Sequence, residues 1–272
     1  MADTNSYLQS LLVTDPLFVP VMRSAIQALE LPAGSRGLDI GCGIGMHVRI
    51  MAEAVGAKGH ITGIDIEPAF IAYAEKATGE AGLSKRVSFR EGNMNALPFD
   101  DNTFSWAWSA NLIGYNPANP LPPLKEMVRV VRPGGIVAIV FYSSQMLLPG
   151  YPLLEAKLNA TSSGIAPFST GMRPELHSFR ALGWFRELNV HDVRAQTFVS
   201  TVQAPISDET YNAMAALFQM RWVDVHKELS RDDIAEYRRL CEPDSPDFIL
   251  KHPDYYGFFT HTIFHGHVPV SL

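Results

Sequence analysis

The run Gly37-Leu-Asp-Ile-Gly-Cys-Gly-Ile-Gly-Met46 decides how this chain is read. A short apolar segment ends in Asp39, glycines alternate at Gly41, Gly43 and Gly45, and an amphipathic run follows from Met46 to Val55. The pattern predicts a strand, a tight turn and a helix. Glycine adopts positive φ without a Cβ penalty and leaves bare backbone for a ligand to lie against. The helix behind the turn presents unpaired N–H groups and a positive dipole end.

Two cofactor classes use such a turn. A dinucleotide fold needs Gly-x-Gly-x-x-Gly, and that spacing would put its third glycine where Met46 stands. The alternative, Asp-x-Gly-x-Gly-x-Gly, is complete from Asp39 to Gly45. It resembles the first motif of the class I S-adenosylmethionine (SAM)-dependent methyltransferases.

Outward from this run, strand-like and helix-like segments alternate. Strands are expected at Arg36–Ile40, His60–Asp65, Val87–Glu91, Phe104–Ser109 and Ile136–Tyr142, and helices at Met46–Val55, Pro68–Ala81 and Pro123–Val131. Such alternation implies parallel strands with right-handed helical crossovers, and ligands in these sheets bind at the carboxyl ends of the strands. Upstream, Leu8, Leu11 and Leu12 have helical spacing, and Asp15-Pro16 is expected to open a second helix through Leu31. Downstream, Pro174–Leu188 reads as helix, and Asn189–Gln203 and Phe258–Val268 as strands. Trp106 and Trp108 share a face and are read as core.

The resemblance then sharpens. Asp65 ends the second strand, where the family's acidic residue accepts both ribose hydroxyls. Asp65 or Glu67 could instead cap the helix that Pro68 opens. The third strand runs into Glu91-Gly-Asn93-Met94-Asn-Ala-Leu-Pro-Phe99, similar to the family's Gly-Asp-Ala-x-x-Leu-Pro-Phe, with Asn93 replacing the aspartate. An amide oxygen still accepts from an adenine amine, although Asn93 could equally serve as a turn residue. Lys125 to Gly135, ending Arg132-Pro-Gly-Gly, resembles the helix-to-strand segment of the ubiquinone and menaquinone biosynthesis methyltransferases. These matches fall in order across residues 37–141, and the resemblance fades beyond them.

It implies a Rossmann-like, doubly wound α/β fold: a seven-stranded, mostly parallel sheet with an antiparallel last strand and helical lid insertions. The whole chain, 1–272, would form one such domain. An N-terminal helical cap (1–34) would precede a SAM-binding core (35–142), with lid insertions at 143–171 and 204–254. The cofactor residues implied are Asp39, Gly41, Cys42, Gly43, Gly45, Asp65, Ile66, Asn93, Met94 and Ala110. Asp39 would orient the amino group, Asp65 the ribose, Asn93 and Met94 the adenine, and Ala110 the methionine backbone.

Composition narrows the partners. The formal net charge is −6 and no basic run exceeds Arg238-Arg239, so nucleic acid is not an expected substrate. No apolar run approaches the roughly eighteen residues needed to span a bilayer. Met-Ala-Asp-Thr-Asn-Ser lacks a signal-peptide pattern. Cys42 and Cys241 make neither a disulfide framework nor a metal cluster, so a cytoplasmic, metal-independent enzyme is expected. Asn111-Leu-Ile-Gly is not the motif of the DNA amino-methylating branch, and that stretch has no acid to hold a cation. A homodimer remains an open assembly.

Methyl transfer from a sulfonium requires in-line alignment, and a general base where the acceptor must lose a proton. His177, His226, Tyr7 and Tyr115 are the candidates for that base. His261, His265 and His267 share one strand face and are read as half-exposed rather than metal-binding. Met146, Leu147, Leu148, Tyr151, Phe168, Met172, Met214, Phe218, Met220 and Trp222 in the insertions could line a pocket for an apolar or aromatic acceptor, or simply form core. Three other readings stay open: a protein methyltransferase, a nicotinamide-dependent oxidoreductase, and a SAM-binding protein without turnover.

Overall fold

The structure, a computed structural model, describes residues 4–115, 119–168 and 171–270, with side chains from Tyr7 onward. The first three residues of the expected N-terminal cap, and residues 169–170 of the first expected insertion, lie outside the described residues.

Seven strands form one sheet: β1 (Arg36–Ile40), β2 (His60–Asp65), β3 (Val87–Glu91), β4 (Phe104–Ala110), β5 (Val131–Met146), β6 (His191–Gln203) and β7 (Tyr256–His267). Their order is β3-β2-β1-β4-β5-β7-β6. The pairs β1–β2, β2–β3, β1–β4 and β4–β5 are parallel, and the last strand runs antiparallel. The order reverses at β1 and β4, and that is where open α/β sheets bind ligands. The helices are α1 (Thr4–Gln27), α2 (Met46–Val55), α3 (Pro68–Glu80), α4 (Leu121–Val130), α5 (Pro152–Asn159), α6 (Ala181–Glu187), α7 (Asp208–Arg221) and α8 (Arg231–Cys241).

The chain forms two compact units. One comprises Met22–Tyr142, Arg173–Phe198 and Thr262–Leu272; the other comprises Met1–Val21, Ser143–Met172 and Val199–His261. In the first, Leu38 and Ile40 of β1 pack with Val137, Ile139 and Phe141 of β5 and with Trp184 and Phe185 of α6. Trp106 and Trp108 are core, and the Trp106 ring lies so close to Gly37 that an added Cβ would meet it at 2.0 Å. The Trp106 indole N–H donates to Ser35 Oγ at 2.9 Å, so this buried ring leaves no polar debt. In the second unit, Glu155 is buried and accepts from the N–H groups of Leu147 and Leu148 at 2.7 and 3.0 Å. Ser207 and Ser230 cap α7 and α8 by accepting from Thr210 N and Asp233 N.

Several local expectations need correction. The N-terminal segment is one helix, not two, with Pro16 and Pro20 inside it. Each proline removes a helical N–H donor, but Leu17, Val21, Met22, Ala25 and Ile26 continue a buried stripe at helical spacing, and that burial holds the helix through both. Helix α4 ends at Val130, before Arg132-Pro133, because the residue preceding a proline avoids helical ψ. The fifth strand starts at Val131 and runs through Ser143–Met146, where the hydroxyls of Ser143 and Thr260 pair at 2.8 Å. His261 is buried against Phe18 and Phe259 rather than half-exposed. Within the insertions, Leu147, Leu148, Met214, Phe218 and Trp222 are core, whereas Met146 and Met220 are exposed.

The loop after β3 is fastened to α4 by one arginine. Arg129 pairs with Glu126 at 2.7 Å and with Asp101 at 2.8 Å, and donates to the carbonyls of Phe99 and Leu97 at 2.8 and 3.0 Å. Glu126 also accepts from Leu97 N at 2.8 Å. Its hydrogen bond to Arg129 holds the Glu126 carboxyl below the usual range. A depressed folded value means the pair stabilises fully above the ordinary glutamate range and less as pH falls through the depressed value. We therefore expect Arg129→Ala to cost about 2 kcal/mol at neutral pH, measured by urea unfolding. That cost shrinks toward pH 3.

Candidate functional site

The glycine turn is built from the backbone outward. Gly41, Gly43 and Gly45 have φ of 76°, 49° and 78°. Gly41 N and Cys42 N donate to Ile64 O at 2.8 and 3.0 Å, which pins the turn to the end of β2. Asp65 completes the clamp: Oδ2 accepts from Gly43 N at 2.9 Å and Oδ1 from Glu67 N at 3.0 Å. Leu112 covers Gly41, where a Cβ would fall 2.3 Å from its Cδ2, whereas a Cβ on Gly43 would meet nothing within 4 Å. The turn is thus closed on one side and open at Gly43.

Asp39 is fully buried at the end of β1, and neither carboxylate oxygen has a hydrogen-bond partner among the described residues. Burial raises its pKa well above the ordinary value, and the Asp65 carboxylate adds to that. A buried carboxylate without donors is costly, and such orphans mark sites that complete themselves with a ligand. Both carboxylates and the open backbone at Gly43 fit a cofactor that carries net positive charge and a ribose. Burial, then Asp39 and Asp65, push the Cys42 thiol up, so it stays protonated and a poor nucleophile.

Around this centre, Ile66 is 67% exposed beside Asp65 and offers an apolar surface to a planar base. Glu67 caps α3, accepting from Ala69 N at 3.4 Å. Asn93 closes a turn, with its Oδ1 accepting from Asn95 N at 2.9 Å and from Asn95 Nδ2 at 3.2 Å. Met94 packs partly into the core. Ala110 ends β4, and the next residue is a feature the sequence reading missed. Asn111 has φ 49°, donates its N–H to Val140 O at 2.8 Å, and accepts from Tyr142 N at 2.9 Å. It ties the end of β4 to the interior of β5 and is followed by Leu112, which covers Gly41. Asparagine's tolerance of the left-handed region was the available signal. His47, in the first turn of α2, has a buried Nε2, and burial lowers its pKa to about 4. Its ring meets the edge of Trp108 at 5.7 Å between centroids.

The four base candidates fall in different places. Tyr115 packs partly buried against the core of the first unit. His177 lies in the same unit, stacked on Phe179 at 5.6 Å, with Nδ1 accepting from Phe179 N at 3.2 Å. Burial lowers its pKa, so the ring is neutral, and the engaged Nδ1 leaves its proton on Nε2. In that tautomer His177 donates through Nε2. Tyr7 and His226 belong to the second unit and are both exposed. No group of three or more His, Cys, Asp or Glu among the described residues is arranged to hold a metal ion.

A raised folded pKa means that Asp39 stabilises the fold below its unfolded value and burdens it as pH rises through the folded value. We expect ligand-free Asp39→Asn to unfold a few degrees higher than the parent at pH 7.5 and at the same temperature near pH 4, by calorimetry. A lower unfolding temperature at pH 7.5 would mean the carboxylate is satisfied after all.

Part of the chain is similar to known methyltransferases. A family model described as "Methyltransferase domain" matches residues 38–135. The chain is 34% identical over 132 residues to the demethylmenaquinone methyltransferase of Bacillus cereus, covering 47% of this chain and 53% of that one. It is 35% identical over 132 residues to the Bacillus licheniformis enzyme of the same name, with the same coverage. The chain thus spans about half the length of the curated relatives it matches. Among solved structures, the methyltransferase in complex with the Haloferax volcanii Trm112 activator superposes with a TM-score of 0.59 at 18% identity, covering 98% of this chain and 96% of that one. A SAM-dependent methyltransferase from Aquifex aeolicus gives 0.51 at 22% identity, covering 70% and 89%. At these identities the superpositions speak for the fold. With the sequence match added, residues 38–135 are similar to the methyltransferase domain family, over about a third of the chain.

Proposed function

We propose that this chain transfers a methyl group from SAM to a small organic acceptor by in-line displacement. The observation that carries the reading is the buried, donor-less Asp39 carboxylate beside a glycine turn that is open at Gly43. Bound SAM supplies an electrophilic methyl on a cationic sulfur, and a neutral thioether leaves. The protein's part is to bind and orient. Asp39 faces the ammonium end, directly or through water. Asp65 keeps lone pairs for the ribose hydroxyls while holding the turn. Ile66, Asn93 and Met94 take the adenine, and Gly41, Cys42, Gly43, Gly45 and Ala110 line the rest with backbone.

The acceptor is a separate question. The family model matches residues 38–135 alone, and the relatives match about half of this chain, so the relatives' acceptor does not carry over with the match. The apolar composition of segments 143–171 and 204–254 is what favours an apolar or aromatic acceptor over a highly charged one. With Nε2 carrying its proton, His177 would hold an acceptor oxygen by donation, and Tyr7, Tyr115 and His226 stay the candidates for proton removal.

The test is acceptor-dependent formation of S-adenosylhomocysteine from SAM across phenols, naphthols, quinols and amines, with denatured protein as a macromolecular arm. Turnover with a small acceptor is expected, and Asp65→Ala should lower kcat/KM at least about tenfold, mainly through the KM for SAM. Turnover on protein alone would replace the small-acceptor reading. Affinity for SAM should also rise with pH, because Asp39 must be ionised to pair with a cation and starts from a raised pKa. Titrations at pH 6 and pH 8 with equal affinities would remove Asp39 from the ammonium.

A further inference from the structure

The Arg132-Pro-Gly-Gly segment belongs to the family's signature, yet it lies at the amino ends of the strands, at the edge opposite the glycine turn. There the first unit holds a cleft of about 390 Å³, lined by residues 32–36, 102–105 and 132. Its charged lining residues are Arg36 and Arg132, and it contains no carboxylate, in a chain whose net charge is −6. Neither guanidinium has an ion-pair or hydrogen-bond partner among the described residues. Four other arginines of this unit are tied down: Arg23 to Glu53, Arg129 to Glu126 and Asp101, and Arg86 and Arg90 to carbonyls.

The sheet register explains why the two converge. β4 lies between β1 and β5. Gly37 pairs with Trp106 and Phe104 with Val131, and between Phe104 and Trp106 the β4–β5 register shifts, with residues 132–135 set against Ser105 alone, so Arg36 and the bulged Arg132 both border the start of β4. Both arginines line this one cleft, where long side chains can reach a single anion. Ser35 accepts the Trp106 indole N–H, which leaves its own hydroxyl hydrogen to donate elsewhere. Lys58 stands at the rim, its Cβ 3.5 Å from where a Cβ on Gly34 would be. The field of Arg36 is already felt next door: after burial, it is what lowers the pKa of His60.

We propose that this cleft is a binding site for a phosphomonoester dianion, held between the Arg36 and Arg132 forks with hydroxyl donors beneath. Arginine pairs match phosphate oxygens bidentately, and a cleft without acids imposes no repulsion. The phosphate could come from a soluble phosphorylated metabolite or from a lipid headgroup, and the two are separable by experiment.

The full chain is titrated at fixed ionic strength with inorganic phosphate and glycerol 3-phosphate, and separately sedimented with phosphatidylcholine vesicles containing phosphatidic acid. Saturable binding is expected, weakened at least about tenfold in Arg36→Gln/Arg132→Gln and unchanged in the charge-matched control Arg231→Gln/Arg238→Gln. Binding to the soluble phosphates identifies a metabolite; binding to the vesicles alone, with the same loss, identifies a headgroup. Should the double variant fail to fold by circular dichroism, Arg36→Lys and Arg132→Lys, which keep the charge but lose the fork, must each weaken binding. The absence of saturable binding in both arms, or equal binding by the arginine variants and the parent, overturns the proposal.

Discussion

The arrangement depends on one carboxylate bridging two backbone amides. Asp65 at the end of β2 accepts from Gly43 N in the turn after β1 and from Glu67 N at the head of α3. Without that bridge, three positive-φ glycines would form a floppy connection, since glycine loses more backbone freedom on ordering than any other residue. With it, and with Ile64 O accepting from Gly41 N and Cys42 N, the turn has a single shape. The same carboxylate that orders the loop is the one proposed to meet the ribose, so on that reading folding the loop and building the site are one event.

Next to this satisfied acid stands an unsatisfied one. Asp39 sits one strand over, fully buried, without a donor among the described residues. Burial, and then the charge of Asp65, raise the proton affinity of Asp39, and a cation beside it relieves that cost. A positively charged cofactor fits that requirement, whereas a dinucleotide's pyrophosphate would add to the repulsion. Met46 at the position of a third glycine points the same way on steric grounds.

The cofactor half was legible in the sequence because its constraints are local. Asp39-x-Gly-x-Gly-x-Gly encodes a turn, Glu67-Pro68 a cap, and Arg132-Pro-Gly-Gly a helix stop, each within a few residues. Strands β1, β2 and β3 and helix α2 fall where the periodicity put them. What escaped depended on contacts distant in the chain. Asn111 bridges to Val140 and Tyr142, and Trp184 fills the space over Gly114. The continuity of α1 through two prolines rests on burial rather than propensity. The engaged Nδ1 of His177, which changes what that histidine can do, depends on a turn only the fold reveals. Apolar insertion residues such as Trp222 and Phe218 looked like pocket or core from spacing alone, and burial places them in core.

The most direct measurement of the central claim, that the Asp39–Asp65 cradle is built for SAM, is calorimetric titration of the purified chain with S-adenosylhomocysteine and, in parallel, with NADH. The account predicts micromolar binding of S-adenosylhomocysteine and none of NADH. Binding of NADH alone would contradict it and leave only the fold.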